Sequence, residues 1–415
     1  QDILTGFKGA LYHLKDGFKW HNGEPLTADQ IVWVINAIMK DPEGWATLSN
    51  YTAGFAEVTA PDTATVVIVT EYPIANMDYR TSFLYAFYPP HFEGFATAED
   101  LQNFGNDAPI GTGPFMLRTF DKDTGVAILD SVKDYVDGAP KIDGIIFQTF
   151  DNTDAMVQAL KVGDIDMLTS VPASAFETVK GFENVKTTAI DNTYFYELII
   201  NSVDPNNYPA QTGNPALADP AVRLAIAHSI NKQDLVDIVF QGLAAPGDTI
   251  IAPAMGGGFW HNPNIKDIPF DTAEANRVLD EAGYVLGSDG VRAKGDLRLE
   301  FRLQFPSSLS AYARMADMMA DWFKQAGMKA NPEAMDEDSL IAVTTAVGDY
   351  DLALWSWEPD PDPDFILSVL TTDQFLEGGW SDSGYHNSEY DQLYLDQQQL
   401  VDRTARQQAI WKMQE

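Results

Sequence analysis

The chain of 415 residues contains no cysteine. Disulfide staples, thiolate nucleophiles and cysteine metal sites are thereby excluded together. The absence suits an oxidising compartment, where stray thiols are a liability, although cytoplasmic chains can lack cysteine too. No apolar run reaches the roughly 18 residues that a membrane-spanning helix needs. The first residues, Gln1-Asp2-Ile3-Leu4-Thr5-Gly6, lack the basic start and apolar stretch of a secretion signal. Positive charge is scarce: 26 Lys and Arg stand against 61 Asp and Glu, a formal charge of −35. Such a chain repels phosphate backbones and anionic membranes, which sets nucleic acid aside as a partner. Its acidity reads as a well-solvated surface suited to high salt rather than as a dedicated cation collector.

What is present is enough to build two or three domains, because 45% of the residues are hydrophobic and 12% aromatic. Thr27 with Gln30 reads as a capping box ahead of an apolar stripe of Ile31, Val34, Ile35 and Ile38. Asp271 with Glu274 repeats the device before Ala275, Val278, Leu279 and Ala282, with Gly283 as the stop. Asp219-Pro220 opens another helix through Val222, Ala225 and Ile226. A fourth carries Tyr312, Ala316, Met319, Ala320 and Phe323 on one face and ends at Gly327. Strands are predicted at Thr65 to Val69, Ile142 to Phe150, Phe195 to Ile200, Leu297 to Leu303 and Tyr350 to Ser356, with a short one at Ile165-Asp166-Met167. Strands interleaved with helices argue for mixed α/β lobes. The turn-rich stretch Asn201 to Pro220 is the candidate crossing between them.

Motifs for catalysis and metal binding fail on inspection. Gly111-Thr112-Gly113-Pro114-Phe115 has two glycines of a dinucleotide loop but lacks the third, and it leads into a strand instead of a helix. Gly379-Trp380-Ser381-Asp382-Ser383 misses the nucleophile elbow by its last glycine. The histidines His13, His21, His91, His228, His261 and His386 show no zinc-ligand spacing. Asp360, Asp362 and Asp364 begin like a calcium loop, yet Phe365 and Thr371 occupy the places that need glycine and glutamate. No cofactor or metal is called for. A carboxylate pair for glycoside hydrolysis stays open as an alternative, because its separation is a tertiary property.

The most informative segment is Tyr350-Asp351-Leu352-Ala353-Leu354-Trp355-Ser356-Trp357-Glu358-Pro359-Asp360-Pro361-Asp362-Pro363-Asp364-Phe365. An apolar strand ends in two tryptophans and runs into carboxylates spaced by prolines that hold the backbone extended. Aromatic faces stack on sugar rings, apolar side chains or cations, and carboxylates capture positive groups. Trp357 is expected beside a ligand and Trp355 on the opposite face of the strand. Trp380 is a further candidate aromatic. The bland alternatives are a solvated acidic turn, a core tryptophan and a loop anchor.

The ordered segments resemble one family. Leu14-Lys15-Asp16-Gly17-Phe18-Lys19-Trp20-His21-Asn22-Gly23-Glu24-Pro25-Leu26-Thr27-Ala28-Asp29-Gln30-Ile31-Val32 is similar to the signature of the solute-binding proteins of peptide-type ABC importers. Gly111 to Phe115, Met156 to Asp166, Asn201 followed by Asp219 to Lys232, and Gly384 to Asp391 agree in the same order. The resemblance implies two α/β lobes of periplasmic-binding-protein type, with solute trapped between them when a hinge near 201–220 shuts. Residues 1–105 would form part of an extra subdomain of lobe one, 106–212 the rest of that lobe, and 213–415 lobe two. Both ends read as truncated against the family pattern. The family's ammonium-binding aspartate, three residues after a tryptophan, maps onto Asp360, with Glu358 as second choice. Trp357, Trp355 and Trp380 complete the expected site.

A receptor is expected rather than an enzyme, binding an oligopeptide and handing it to a membrane permease as a monomer. It would lie outside the inner membrane, free in a periplasm or tethered through a lipid on an upstream cysteine. A receptor of the same fold for an oligosaccharide and a secreted hydrolase are the alternatives.

Overall fold

A computed structural model describes residues 8–42, 44–95, 100–101, 103–150, 152–203, 208, 211–344, 348–376 and 379–415. Gln1 to Gly6, Gly378 beside Trp380, and 204–207 and 209–210 of the expected crossing lie outside the described residues. The chain forms two compact units, Gln1–Met156 with Gln398–Arg403, and Val157–Gln397 with Thr404–Glu415.

In the first unit, β1 (Gly9–His13), β2 (Phe55–Asp62) and β3 (Thr65–Thr70) form an antiparallel sheet in the order β1-β3-β2. The helix Ala28–Lys40 lays Ala28 and Ile35 into a core with Phe55, Val58, Val66 and Ile68. Gln30 supplies its N-terminal tie: the side-chain oxygen accepts the Thr27 backbone N–H at 3.1 Å and the Trp20 indole N–H at 2.8 Å. A second antiparallel sheet contains β4 (Phe115–Asp121), β5 (Val126–Ser131) and β6 (Gly144–Gln148). His21 joins two signature segments. Its backbone N–H donates to Gly111 O at 2.9 Å, and its Nδ1 accepts the Gly111 N–H at 3.2 Å. With Nδ1 accepting, Nε2 carries the proton and donates to Gly113 O at 3.1 Å. Gly111-Thr112-Gly113 is therefore a docking strip for His21, a scaffold role.

The second unit is built on a four-stranded sheet in the order β12-β11-β13-β7. These strands are β7 (Phe195–Ile200), β11 (Glu300–Pro306), β12 (Lys329–Met335) and β13 (Leu352–Trp357). β11 runs parallel to β12 and β13, and β7 is antiparallel to β13. Side chains alternate across it. Phe301, Leu303, Leu352 and Leu354 point to the main core with the helices Pro220–Ser229, Thr272–Glu281 and Ser310–Gln325. Each fully buried side chain of this size contributes about 1.5–3 kcal/mol. Ile199, Ala353 and Trp355 face the other way, against Leu340 of the helix Glu337–Thr344. A small antiparallel sheet of β8 (Val285–Leu286), β9 (Arg292–Lys294) and β10 (Leu297–Arg298) sits beside it.

Several predicted elements change in detail. The strand expected over Leu297 to Leu303 is interrupted at Leu299, whose N–H pairs with Arg292 O and whose carbonyl accepts from Lys329, so the chain passes from the small sheet to the large one there. Ile165 to Met167 form no strand. Met167 is 73% exposed and has no packed face to justify one. Gly163 does end the preceding helix, Thr153–Val162, at φ +82°. Asp271 caps its helix through the Glu274 N–H at 2.9 Å, but the Glu274 carboxylate turns to Arg277 instead of back to the cap.

Candidate functional site

The aromatic end of β13 lies in register with β7: Trp355 opposite Glu197, Ser356 opposite Tyr196, and Trp357 opposite Phe195. Residues two apart on a strand share a face. Trp355 and Trp357 therefore project from the same side, and the expectation of opposite faces is corrected. Ser356 marks the other side, its Oγ accepting hydrogen bonds from the Tyr194 and Tyr312 hydroxyls at 2.6 Å each. Sharing a face does not give the tryptophans the same neighbours. Trp355 packs with Ile199, Leu340 and Tyr350, whereas Trp357 reaches a second cluster holding Ile366, Leu367 and Trp260.

Trp357 and Trp380 come together. With Phe365 they form a triangle of edge-to-face rings, with centroids 6.5 Å apart for Trp357–Trp380, 5.4 Å for Phe365–Trp380 and 6.0 Å for Trp357–Phe365. Trp380 remains 47% exposed, so this ridge offers an aromatic surface to solvent. Its loop is held by the Trp380 and Ser381 N–H groups donating to Gln374 and by the Tyr350 hydroxyl donating to the Asp382 carbonyl.

The acidic loop divides into two parts. Asp362 is buried and accepts two bonds from Arg406, at 2.6 and 2.8 Å. Arg406 also donates to Gln397 at 2.9 Å and lies over the Trp260 ring, while Gln397 donates to Asp364. These carboxylates hold the loop, and the reading of the whole run as a capture site narrows accordingly. Nor does the run stay extended. It bends over 361–363 and enters the helix Asp364–Ser368. Glu358 is exposed and Asp360 half-buried, and among the described residues neither meets a cation.

Two carboxylates that sequence reasoning passed over sit at the ridge. The Trp357 indole N–H donates to Glu197 Oε1 at 2.6 Å. Burial drives the Glu197 carboxyl far above the usual carboxylate range, the nearby Asp382 carboxylate adds to the rise, and the indole bond opposes it. Burial likewise raises Asp382. Part of each residue reaches the surface, yet the carboxyl groups themselves are enclosed. Like charges in such surroundings disfavour simultaneous ionisation. One signal was available: Glu197 is the lone charge in the apolar run Phe195-Tyr196-Glu197-Leu198-Ile199-Ile200. Among the described residues, no group of three or more His, Asp or Glu is placed to hold a metal ion.

Residues 7–375 match the family model of the bacterial extracellular solute-binding proteins, family 5, middle. The oligopeptide-binding protein AppA of Bacillus subtilis is 25% identical over 401 residues, covering 94% of this chain and 70% of AppA. Protein XP55 of Streptomyces lividans is 26% identical over 358 residues, covering 83% of this chain and 61% of XP55. Among solved structures, the ABC transporter substrate-binding protein CtaP from Listeria monocytogenes aligns with a TM-score of 0.83 at 22% identity, covering 100% of this chain and 80% of CtaP. That likeness is one of fold, the two-lobe α/β type. The chain belongs to the bacterial extracellular solute-binding proteins of family 5.

Proposed function

We propose that this chain is the solute-binding component of an ABC importer and that it captures an oligopeptide outside the cytoplasmic membrane. The observation that carries the reading is the pairing, on the second unit, of an aromatic ridge with carboxylates that meet no cation among the described residues. Trp357, Phe365 and Trp380 supply faces for stacking, and Asp360 stands close by in sequence with no cation on it among the described residues. Asp360 receives the ligand ammonium, with Glu358 as the outer acid. Trp355, packed inward, supports the strand under the ridge. The name of the oligopeptide-binding relative favours peptide as cargo over oligosaccharide.

Binding proceeds by differential affinity: a ligand shifts the protein toward whichever state makes more contacts with it, and no bond is made or broken. The hinge lies near 201–220, the protein acts as a monomer, and it releases cargo to a permease. Mass spectrometry of solute retained through gentle purification tests this directly. Peptides enriched over the background of an Asp360→Asn variant would support the reading. A retained glycan, or protein-dependent cleavage of an added peptide pool, would replace it.

A further inference from the structure

We propose that Glu197 is the positioning residue for Trp357, and that the charge on its carboxyl sets how firmly the indole is held in the aromatic ridge. Three observations on different elements converge on this. On β13, Trp357 sends its indole N–H across to Glu197 on β7 at 2.6 Å, a short bond that fixes the ring about its side-chain torsions. From the loop 379–384, Trp380 contacts the Trp357 ring edge to face, and the charge of Asp382 in the same loop adds to the rise of the Glu197 carboxyl. Tyr350, ahead of β13, fixes that loop through its hydroxyl bond to the Asp382 carbonyl.

An indole has one polar atom and a wide apolar body. A Trp whose N–H is anchored presents a defined face, whereas an unanchored one samples several rotamers and binds with an added entropic cost. A carboxylate accepts the N–H more strongly than the neutral acid does, so the anchor strengthens as Glu197 ionises. Asp382 works against that ionisation, because a second negative charge in the same enclosure disfavours it. The groups that act on the Glu197 carboxyl are then the Trp357 indole, by its hydrogen bond, and Asp382 by its charge, while Glu197 in turn raises the buried Tyr350 hydroxyl. Burial raises both carboxyls, which brings the titration of Glu197 toward neutral pH.

The consequence for peptide capture rests on the function proposed above, but the anchor itself does not. The test uses the full chain labelled with nitrogen-15 at tryptophan, with the Trp357 indole resonance identified by its loss in Trp357→Phe. In the unaltered protein this resonance should titrate between pH 6 and 9, roughly the window of raised carboxyls. In Glu197→Gln, whose amide oxygen still accepts, the resonance should stay near its place and cease to titrate. In Glu197→Leu it should move upfield and exchange with solvent faster. Asp382→Asn should lower the midpoint.

A Trp357 resonance that ignores pH in the unaltered protein, or that is unmoved in Glu197→Leu, overturns the proposal; a purely structural Glu197 would lower the melting temperature without this signature. Affinity for a pool of synthetic tripeptides of mixed sequence is read alongside. A loss of about fivefold in Glu197→Leu, the scale of one hydrogen bond, with recovery in Glu197→Gln, supports the anchor acting on ligand. If the resonances behave as described while tripeptide affinity is unchanged, the anchor stands and the peptide reading of the ridge falls.

Discussion

Asp362 and Arg406 are 44 residues apart in the chain and form a two-pronged ion pair with side-chain exposures of 10% and 4%. The pair sits two residues beyond Asp360, the residue assigned to the ligand ammonium. One carboxylate of the loop is thus spent on the scaffold so that another is held in place.

Breaking this pair should be costly. Arg406→Leu removes the two-pronged contact from buried Asp362 and should lower unfolding free energy by about 3–5 kcal/mol, measured by urea denaturation. The double variant Asp362→Asn with Arg406→Leu should recover part of that loss, since the buried carboxylate charge is removed along with the guanidinium. Equal stability for the single and double variants would contradict the ion pair as the source.

Among the described residues Asp360 makes no such ion pair, so Asp360→Asn should leave the urea midpoint nearly unchanged. If it meets a ligand ammonium, peptide affinity should drop about tenfold to a hundredfold, the range for a hydrogen bond to a charged group. Isothermal titration calorimetry with a bound peptide, once eluted and identified, measures this. Full retention of affinity would move the assignment to Glu358.

Glu197 makes the protein's stability depend on pH, with a definite sign. Its carboxyl is raised in the folded state, to about 8, so the folded protein holds a proton that the unfolded chain has given up above the ordinary carboxylate range. Stability should therefore fall as pH rises through that interval and level off above it. Glu197→Gln removes the group. Its melting temperature should exceed that of the unaltered protein at pH 8, with the gap closing toward pH 4.5, as differential scanning calorimetry across that range would show.

Gly384 ends the loop that carries Trp380 and Asp382. Its φ is +65°, and an added Cβ would lie 2.2 Å from Val203 Cγ2. Gly384→Ala should cost about 1–3 kcal/mol, through both left-handed strain and overpacking. Gly23→Ala shares the positive φ, at +88°, with nothing within 4 Å of the added carbon, so it isolates the backbone part. Similar melting temperatures for the two variants would mean that the Val203 contact carries no weight.

Much of the scaffold was legible from residue pattern. Thr27 with Gln30, Asp219 ahead of Pro220 and Gly163 act where caps and stops were expected, because their hydrogen bonds close within a few residues. The β7 range Phe195–Ile200 followed from β-branched and aromatic content. The prediction failed where a distant neighbour decided the outcome: Glu274 turned to Arg277, Leu299 left one sheet for another, and Asp362 was claimed by Arg406. The faces of Trp355 and Trp357 were a different kind of error, since the twofold strand repeat already places them together.

Order along the chain sufficed for the α/β class and for membership of a solute-binding family, since local hydrogen bonding and apolar spacing recur wherever those segments recur. Which acids of the loop are held by scaffold partners, and that Glu197 accepts the Trp357 indole N–H, came from folding. Partnership between side chains far apart in sequence depends on where strands and loops converge, and linear spacing carries no measure of that distance.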